Sequence, residues 1–168
     1  MHVFENFLPT WLHKKVSEQL LSPYLDWHFP GSGGPETDIN KSSFAKQPFS
    51  LDSNVNDFHQ TDSLIYALDY WLEENKNIFK LDHLHRCMIN FYTPGQNTGW
   101  HYDMDKENYY SLLYYVNDSD GGTEFKDKKY MHKENKALFF DGRLMHSPIT
   151  STSPRRISVN WLMCGELL

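Results

Sequence analysis

His101 and Asp103 stand two residues apart in the run W-H-Y-D, and a second histidine, His146, follows in L-M-H-S-P. In an extended chain successive side chains alternate between faces, so His101 and Asp103 are expected side by side with Tyr102 pointing away. A third ligand has to come from a segment that folds back, and K-A-L-F-F-D-G-R-L-M-H offers an apolar strand and a short turn ahead of His146. Two neutral nitrogens and one carboxylate oxygen on one side of a metal suit mononuclear Fe(II) and leave positions open for substrate and oxygen. The same three ligands would serve a zinc hydrolase, for which Asp105 or Glu124 is the candidate base. Further on, S-P-R-R-I-S-V-N-W alternates as a strand with Arg156, Ser158 and Asn160 on one face and Ile157, Val159 and Trp161 on the other. A face that carries an arginine and, two places on, a small hydroxyl fits the wall of a cavity holding an anion.

These residues belong to a longer series: Y-T-P-G at 92–95, H-Y-D at 101–103, L-L-Y-Y-V-N at 112–117, G-G-T-E-F at 121–125, A-L-F-F-D at 137–141, His146, and R-I-S at 156–158. In that order they resemble the Fe(II)- and 2-oxoglutarate-dependent dioxygenases, and within them the prolyl 4-hydroxylase-like branch. The resemblance runs over about residues 82–163, and V-F-E-N-F-L-P at 3–9 is similar to the first strand and helix of that branch. It implies that His101, Asp103 and His146 are the iron ligands at the catalytic centre. It also implies that Tyr92 covers the cofactor, and that Tyr115, Arg156 and Ser158 bind 2-oxoglutarate. Molecular oxygen would be the second co-substrate, with ascorbate supporting activity. The implied reaction hydroxylates an unactivated C–H bond while 2-oxoglutarate is decarboxylated to succinate and carbon dioxide. The implied acceptor is a proline in a peptide or protein, with a free amino acid or other small molecule as the alternative. Arg155 competes with Arg156 for the co-substrate. Counting back from Trp161 selects Arg155, whereas R-x-S and the spacing from His146 select Arg156. Arg156 is favoured because it shares a face with Ser158 while Arg155 shares one with Ile157 and Val159; a bulge at Pro154 would reverse the phase.

The elements that must position these groups are legible as patterns. Pro9 opens a helix through W-L-H-K-K-V-S-E-Q-L-L, with Leu12, Val16 and Leu20 on one stripe. Leu25 to Phe29 reads as a short aromatic strand. Residues 30–60, with Gly31, Gly33, Gly34, Pro30 and Pro35, read as a long loop containing a short strand near Phe49–Leu51, a candidate cover for a substrate. Thr61 is a candidate N-cap for a second helix, in which Leu64, Ile65, Leu68, Trp71 and Leu72 recur at helical spacing and should pack on the outside of a sheet. From Leu84 onward seven or eight short strands follow, separated by Pro-Gly and Asp-Gly turns with no helix-length segment between them. That excludes βαβ units and suits two facing antiparallel sheets of the jelly-roll, or double-stranded β-helix, type: a mainly β fold with supporting helices. Arg86, Met88, Asn90 and Tyr92 should share one face, as should Ser111, Leu113 and Tyr115. Trp100, Tyr109 and Tyr110 are expected near the entrance.

Composition bounds what remains. The 168 residues are expected to form one domain, with helical support over about 1–80 and the β-helix over about 82–163. A net charge of −6, with no stripe of basic residues, disfavours a nucleic-acid partner. Cys87 and Cys164 lie on apolar strand patterns, which suits reduced, buried thiols rather than a disulfide framework. The sequence starts with neither a basic leader nor an apolar run, and no stretch approaches the ~18 apolar residues of a membrane span, so a cytoplasmic protein is expected.

Overall fold

A computed structural model describes residues 1–27 and 44–168. In chain order the elements are β1 (His2–Phe4), α1 (Thr10–Leu20), β2 (Phe44–Ser50), β3 (Val55–Asn56), α2 (Ser63–Glu74), β4 (Phe79–Tyr92), β5 (Tyr109–Tyr115), β6 (Gly122–Phe125), β7 (Lys128–Met131), β8 (Lys136–Asp141), β9 (His146–Ile149) and β10 (Arg156–Leu167). The strands form a seven-stranded sheet ordered β1-β8-β5-β10-β4-β2-β3 and a three-stranded sheet ordered β7-β6-β9. All pairings are antiparallel. This is the jelly-roll core that the strand spacing predicts.

Alternation along β10 divides the large sheet into two chemically different faces. Ile157, Val159 and Trp161 are buried on the helix side in one cluster with Leu12, Val16 and Leu20 of α1 and Leu64, Ala67, Leu68 and Trp71 of α2. Trp71 anchors this layer, with ring centroids 5.0 Å from Phe139 and 6.0 Å from both Phe4 and Phe79. Truncating a buried tryptophan of this kind costs about 3–5 kcal/mol. Residues on the other face of the large sheet meet the small sheet, where Leu113, Tyr115, Tyr130, Leu138 and Phe140 form a second, smaller cluster. The apolar layer therefore lies under the helices, and the polar residues of β4, β5 and β10 are left to line the space between the sheets.

Several expectations need correction. Leu25–Trp27 are not a strand, and among the described residues nothing pairs with them; the remainder of that expected strand, and the glycines and prolines at 30–35, lie outside the described residues. The short strand expected at Phe49–Leu51 is β2, which starts at Phe44 and pairs with β4 as a member of the large sheet. β4 begins at Phe79, five residues before Leu84, since its pairing with β10 runs from Arg156↔Tyr92 to Leu167↔Phe79. The second helix is preceded by Asp62 rather than Thr61, and neither residue gives it a side-chain cap; Thr61 Oγ1 instead donates to the Phe58 carbonyl at 3.3 Å. Ile65, expected on the packed stripe, is exposed. Cys87 is buried and Cys164 only half-buried, and both are free thiols. Among the described residues no helix is long and apolar enough to cross a membrane.

Candidate active site

His101 and His146 meet as a directly opposed pair in an isolated antiparallel bridge at the first residue of β9. Each backbone N–H donates to the other's carbonyl at 2.9 Å, and the rings stand 4.4 Å apart. Asp103 arrives by a different route from the one its spacing suggests. The segment after His101 is a bend, not a strand, held where the Asp103 N–H donates to the Gly142 carbonyl at 3.0 Å. The convergence is nonetheless tight: one ligand atom from each of His101, Asp103 and His146 lies within 4.8 Å of the others.

The surroundings prepare all three side chains to bind a metal. His101 Nδ1 lies 3.0 Å from the Gly99 carbonyl and His146 Nδ1 2.8 Å from that of Leu144. Each carbonyl can only accept, so each ring carries its proton on Nδ1 and keeps the Nε2 lone pair free. Gly99 supplies its carbonyl from a left-handed backbone, φ +77°, which a side chain would strain. Burial pushes the His146 pKa down, partly opposed by Asp103, and so favours the neutral ring that a metal requires. The Asp103 side chain is 5% exposed. Its Oδ2 accepts from Ser111 Oγ at 2.5 Å and from Asn160 Nδ2 at 2.9 Å, which leaves Oδ1 with unshared lone pairs.

A narrow cavity runs from His101 and His146 to Tyr92, Tyr115, Arg156 and Ser158. Arg156 is buried, whereas Arg155 is exposed and donates to the Leu21 carbonyl at 3.2 Å. The Arg156 guanidinium lies 4.2 Å from the Tyr92 ring centroid, within cation–π range, and Nη1 donates to the carbonyls of Ile149 and Gly122. Gly121 makes room for it, since a Cβ there would sit 2.5 Å from Arg156 Nη1. Burial lowers the Arg156 pKa, but a guanidinium remains charged. Burial raises that of Tyr115, which stays a neutral phenol donating to Thr123 Oγ1 at 2.8 Å. The Tyr115 ring stacks on His132 at 4.2 Å. Burial, and then the Arg156 charge, push His132 well below its usual pKa. A fixed cation flanked by neutral hydrogen-bonding groups is chemically suited to a carboxylate, and His101 and His146 stand at the other end of the same cavity.

The family described as the 2OG-Fe(II) oxygenase superfamily matches residues 87–163, a stretch that contains Tyr92, all three converging ligands, Tyr115 and Arg156. This chain matches that family over just under half of its length, the half that holds the site. It is a 2-oxoglutarate/Fe(II)-dependent dioxygenase, and the donor set and the buried arginine fit those two groups. Its fold is similar to that of a viral collagen prolyl hydroxylase from Paramecium Bursaria Chlorella virus-1 in complex with 2OG, at 16% identity and TM-score 0.65 over 97% of this chain and 95% of that one. A prolyl hydroxylase from Trichoplax adhaerens, in complex with a hypoxia inducible factor oxygen degradation domain peptide fragment, matches at 16% identity and TM-score 0.67 over 97% and 82%. A non-heme alpha ketoglutarate dependent epimerase from nogalamycin biosynthesis matches at 11% identity and TM-score 0.67 over 96% and 77%. These likenesses show the fold. No curated protein sequence matches the chain.

An open cleft of about 590 Å³ adjoins His101 and Asp103, bordered by Arg86, Met88, Asn90, Thr98 and Tyr102. The entrance is therefore lined by Tyr102, not by the expected Tyr109 and Tyr110. Tyr110 instead packs on Phe79 and Phe139 at 5.4 and 5.5 Å, and Tyr109 on His85 at 5.4 Å. Neither candidate base for a zinc hydrolase lines the cleft or the narrow cavity: Asp105 is exposed, and Glu124 is ion-paired with Lys129 at 3.2 Å. Sequence reasoning missed Ser111 and Asn160 as partners of Asp103, and His132 behind Tyr115. Asn160 and Ser111 were at least placed on cavity-facing strands by alternation; His132 had no such signal.

Proposed function

We propose that this dioxygenase hydroxylates a C–H bond of proline in a peptide or protein, with residues 1–168 acting as one catalytic domain. His101, Asp103 and His146 hold Fe(II), and Arg156, Tyr115 and Ser158 hold the far carboxylate of 2-oxoglutarate. Tyr92 lies over that end of the co-substrate. The bound iron, 2-oxoglutarate and molecular oxygen supply oxidative decarboxylation coupled to C–H hydroxylation, with ascorbate sustaining turnover. The chain's own part is positional. Ser111 and Asn160 fix the carboxylate of Asp103, the Gly99 and Leu144 carbonyls fix the two imidazoles, and Arg156 sets how far the co-substrate reaches. Burial of Asp103 and His146 keeps bulk water away from the reacting face.

The carrying observation is that the ligand cluster stands between a buried cationic cavity and an open cleft. One side suits a small dicarboxylate and the other has room for a segment of polypeptide. Proline as acceptor is supported by the prolyl hydroxylases among the similar structures, one of them bound to a peptide. The test is to incubate the protein with Fe(II), 2-oxoglutarate, oxygen and a proline-containing peptide library, and to localise the product by mass spectrometry. The expected result is one oxygen atom gained on proline with one succinate formed for each hydroxyl. An unmodified library, together with succinate formation that depends on a free amino acid or another small molecule, would overturn the peptidyl acceptor and leave the dioxygenase in place.

A further inference from the structure

The wall of the open cleft carries a guanidinium whose binding capacity is largely unused. Arg86 lies on β4 and lines the cleft with His101 and Asp103. Its ion-pair contact is Nη2 to Asp103 Oδ1 at 3.6 Å, too long for a hydrogen bond. Its Nε is buried with no partner, and among the described residues its guanidinium donates no hydrogen bond. A guanidinium keeps its charge, offers five donors in a fixed fork, and is poorly accommodated when those donors go unmet.

On the reading proposed above, Asp103 ceases to be its counter-ion once the site is loaded, because that carboxylate then serves a dication. One carboxylate of the co-substrate goes to the metal and the other to Arg156. Lys46 and Asp57, which also border the cleft, carry opposite charges. Arg86 is therefore left as an uncompensated cation at the substrate end. We propose that Arg86 binds a carboxylate of the substrate close to the carbon that is hydroxylated. A ligating carboxylate oxygen sits about 2 Å from a metal, so a metal held by Asp103 Oδ1 would lie within about 6 Å of the Arg86 guanidinium. A carboxylate in fork contact at about 2.8 Å then belongs to the reacting residue or to its immediate neighbour. The sources that satisfy this are the terminal carboxylate of an amino acid or peptide, and the side chain of an acidic residue next to the target. An uncharged internal segment leaves Arg86 unmet.

The experiment reads binding without turnover. Protein loaded anaerobically with Mn(II) and 2-oxoglutarate is titrated in a calorimeter with N-acetyl amino acids, N-acetylproline included, against the matching carboxamides. Capped peptides in which proline is followed by Glu or by Gln form the second arm. At least one carboxylate should bind about 30-fold or more tightly than its amide, and the arm in which this occurs identifies the source. Arg86→Gln should equalise that pair, and Arg86→Lys should keep part of the difference. The inference is overturned if every acid binds like its amide, or not at all, in the unaltered loaded protein, or if the preference survives Arg86→Gln. Should Arg86→Gln fail to hold Mn(II), the acid–amide comparison in the unaltered protein still decides. A protein that takes up neither Mn(II) nor 2-oxoglutarate overturns the reading of the site itself, and this inference with it.

Discussion

Replacing Asn160 with leucine tests whether the metal face is held in place by the sheet beneath it. Asp103 Oδ2 receives two hydrogen bonds, from Asn160 Nδ2 at 2.9 Å and from Ser111 Oγ at 2.5 Å. Leucine removes one and leaves the carboxylate oriented by Ser111 alone. A hydrogen bond to a charged group contributes about 1.5–3 kcal/mol, and loss of a partner behind a metal ligand lowers affinity by about 10–100-fold. The two ranges agree, because about 1.4 kcal/mol is tenfold. The dissociation constant for Mn(II), measured by calorimetry, should therefore rise about 10–100-fold in Asn160→Leu. Stability should change little, since Asn160 Oδ1 is itself buried without a partner. The change removes a hydrogen bond and an unmet acceptor together, so metal-free stability in a denaturant titration should stay within about 1 kcal/mol. Unchanged Mn(II) affinity in a natively folded variant would mean that Asp103 is positioned by something other than this bond.

Arg156→Ala removes the buried cation of the narrow cavity and should weaken 2-oxoglutarate binding about 30- to several-thousand-fold, corresponding to about 2–5 kcal/mol, whereas Arg155→Ala on the exposed face should change it little; the reverse ranking in a 2-oxoglutarate titration would refute the assignment. Asp120 accepts hydrogen bonds from Ser151, Thr152 and Ser153, which hold its carboxyl well below the usual carboxylate range. A depressed carboxylate stabilises the fold above its unfolded pKa of about 4 and loses that contribution as pH falls through the folded value. Asp120→Asn should therefore lower stability near neutral pH and flatten the acid limb of the stability curve, and superimposable curves for the two proteins from chemical unfolding would contradict this.

How much of the site could be read in the sequence depended on whether the information was local. Alternation is a property of the strand itself, so the two faces of β10 could be divided from the sequence, with Arg156, Ser158 and Asn160 on the cavity side and Ile157, Val159 and Trp161 in the helix-side core. The same reasoning applied to H-x-D reached a real convergence for the wrong local reason. His101 is placed by its bridge to His146, and Asp103 by a bend tied to Gly142. Aromatic enrichment suggests a strand at Leu25–Phe29, but a strand also needs a neighbour to bond with, and among the described residues Leu25–Trp27 have none. Tyr109 and Tyr110 are expected near the entrance, yet the pairing of β5 with β10 and β8 packs Tyr110 against the helix-side core. The second hydrogen-bonding layer was illegible for the same reason. Ser111 and Asn160 lie 8 and 57 positions from Asp103, and His132 reaches Tyr115 only through the approach of the two sheets.

The central claim is that His101, Asp103 and His146 bind one Fe(II) to which 2-oxoglutarate adds. It is tested most directly by anaerobic titration of metal-free protein with Fe(II) and then with 2-oxoglutarate, followed by visible absorption. The account predicts one equivalent of iron bound and a weak visible charge-transfer band that develops only when 2-oxoglutarate is added. Both should be lost in a folded His146→Ala variant. Folded protein that binds Fe(II) without any spectral response to 2-oxoglutarate, or a His146→Ala variant that responds like the unaltered chain, would contradict it.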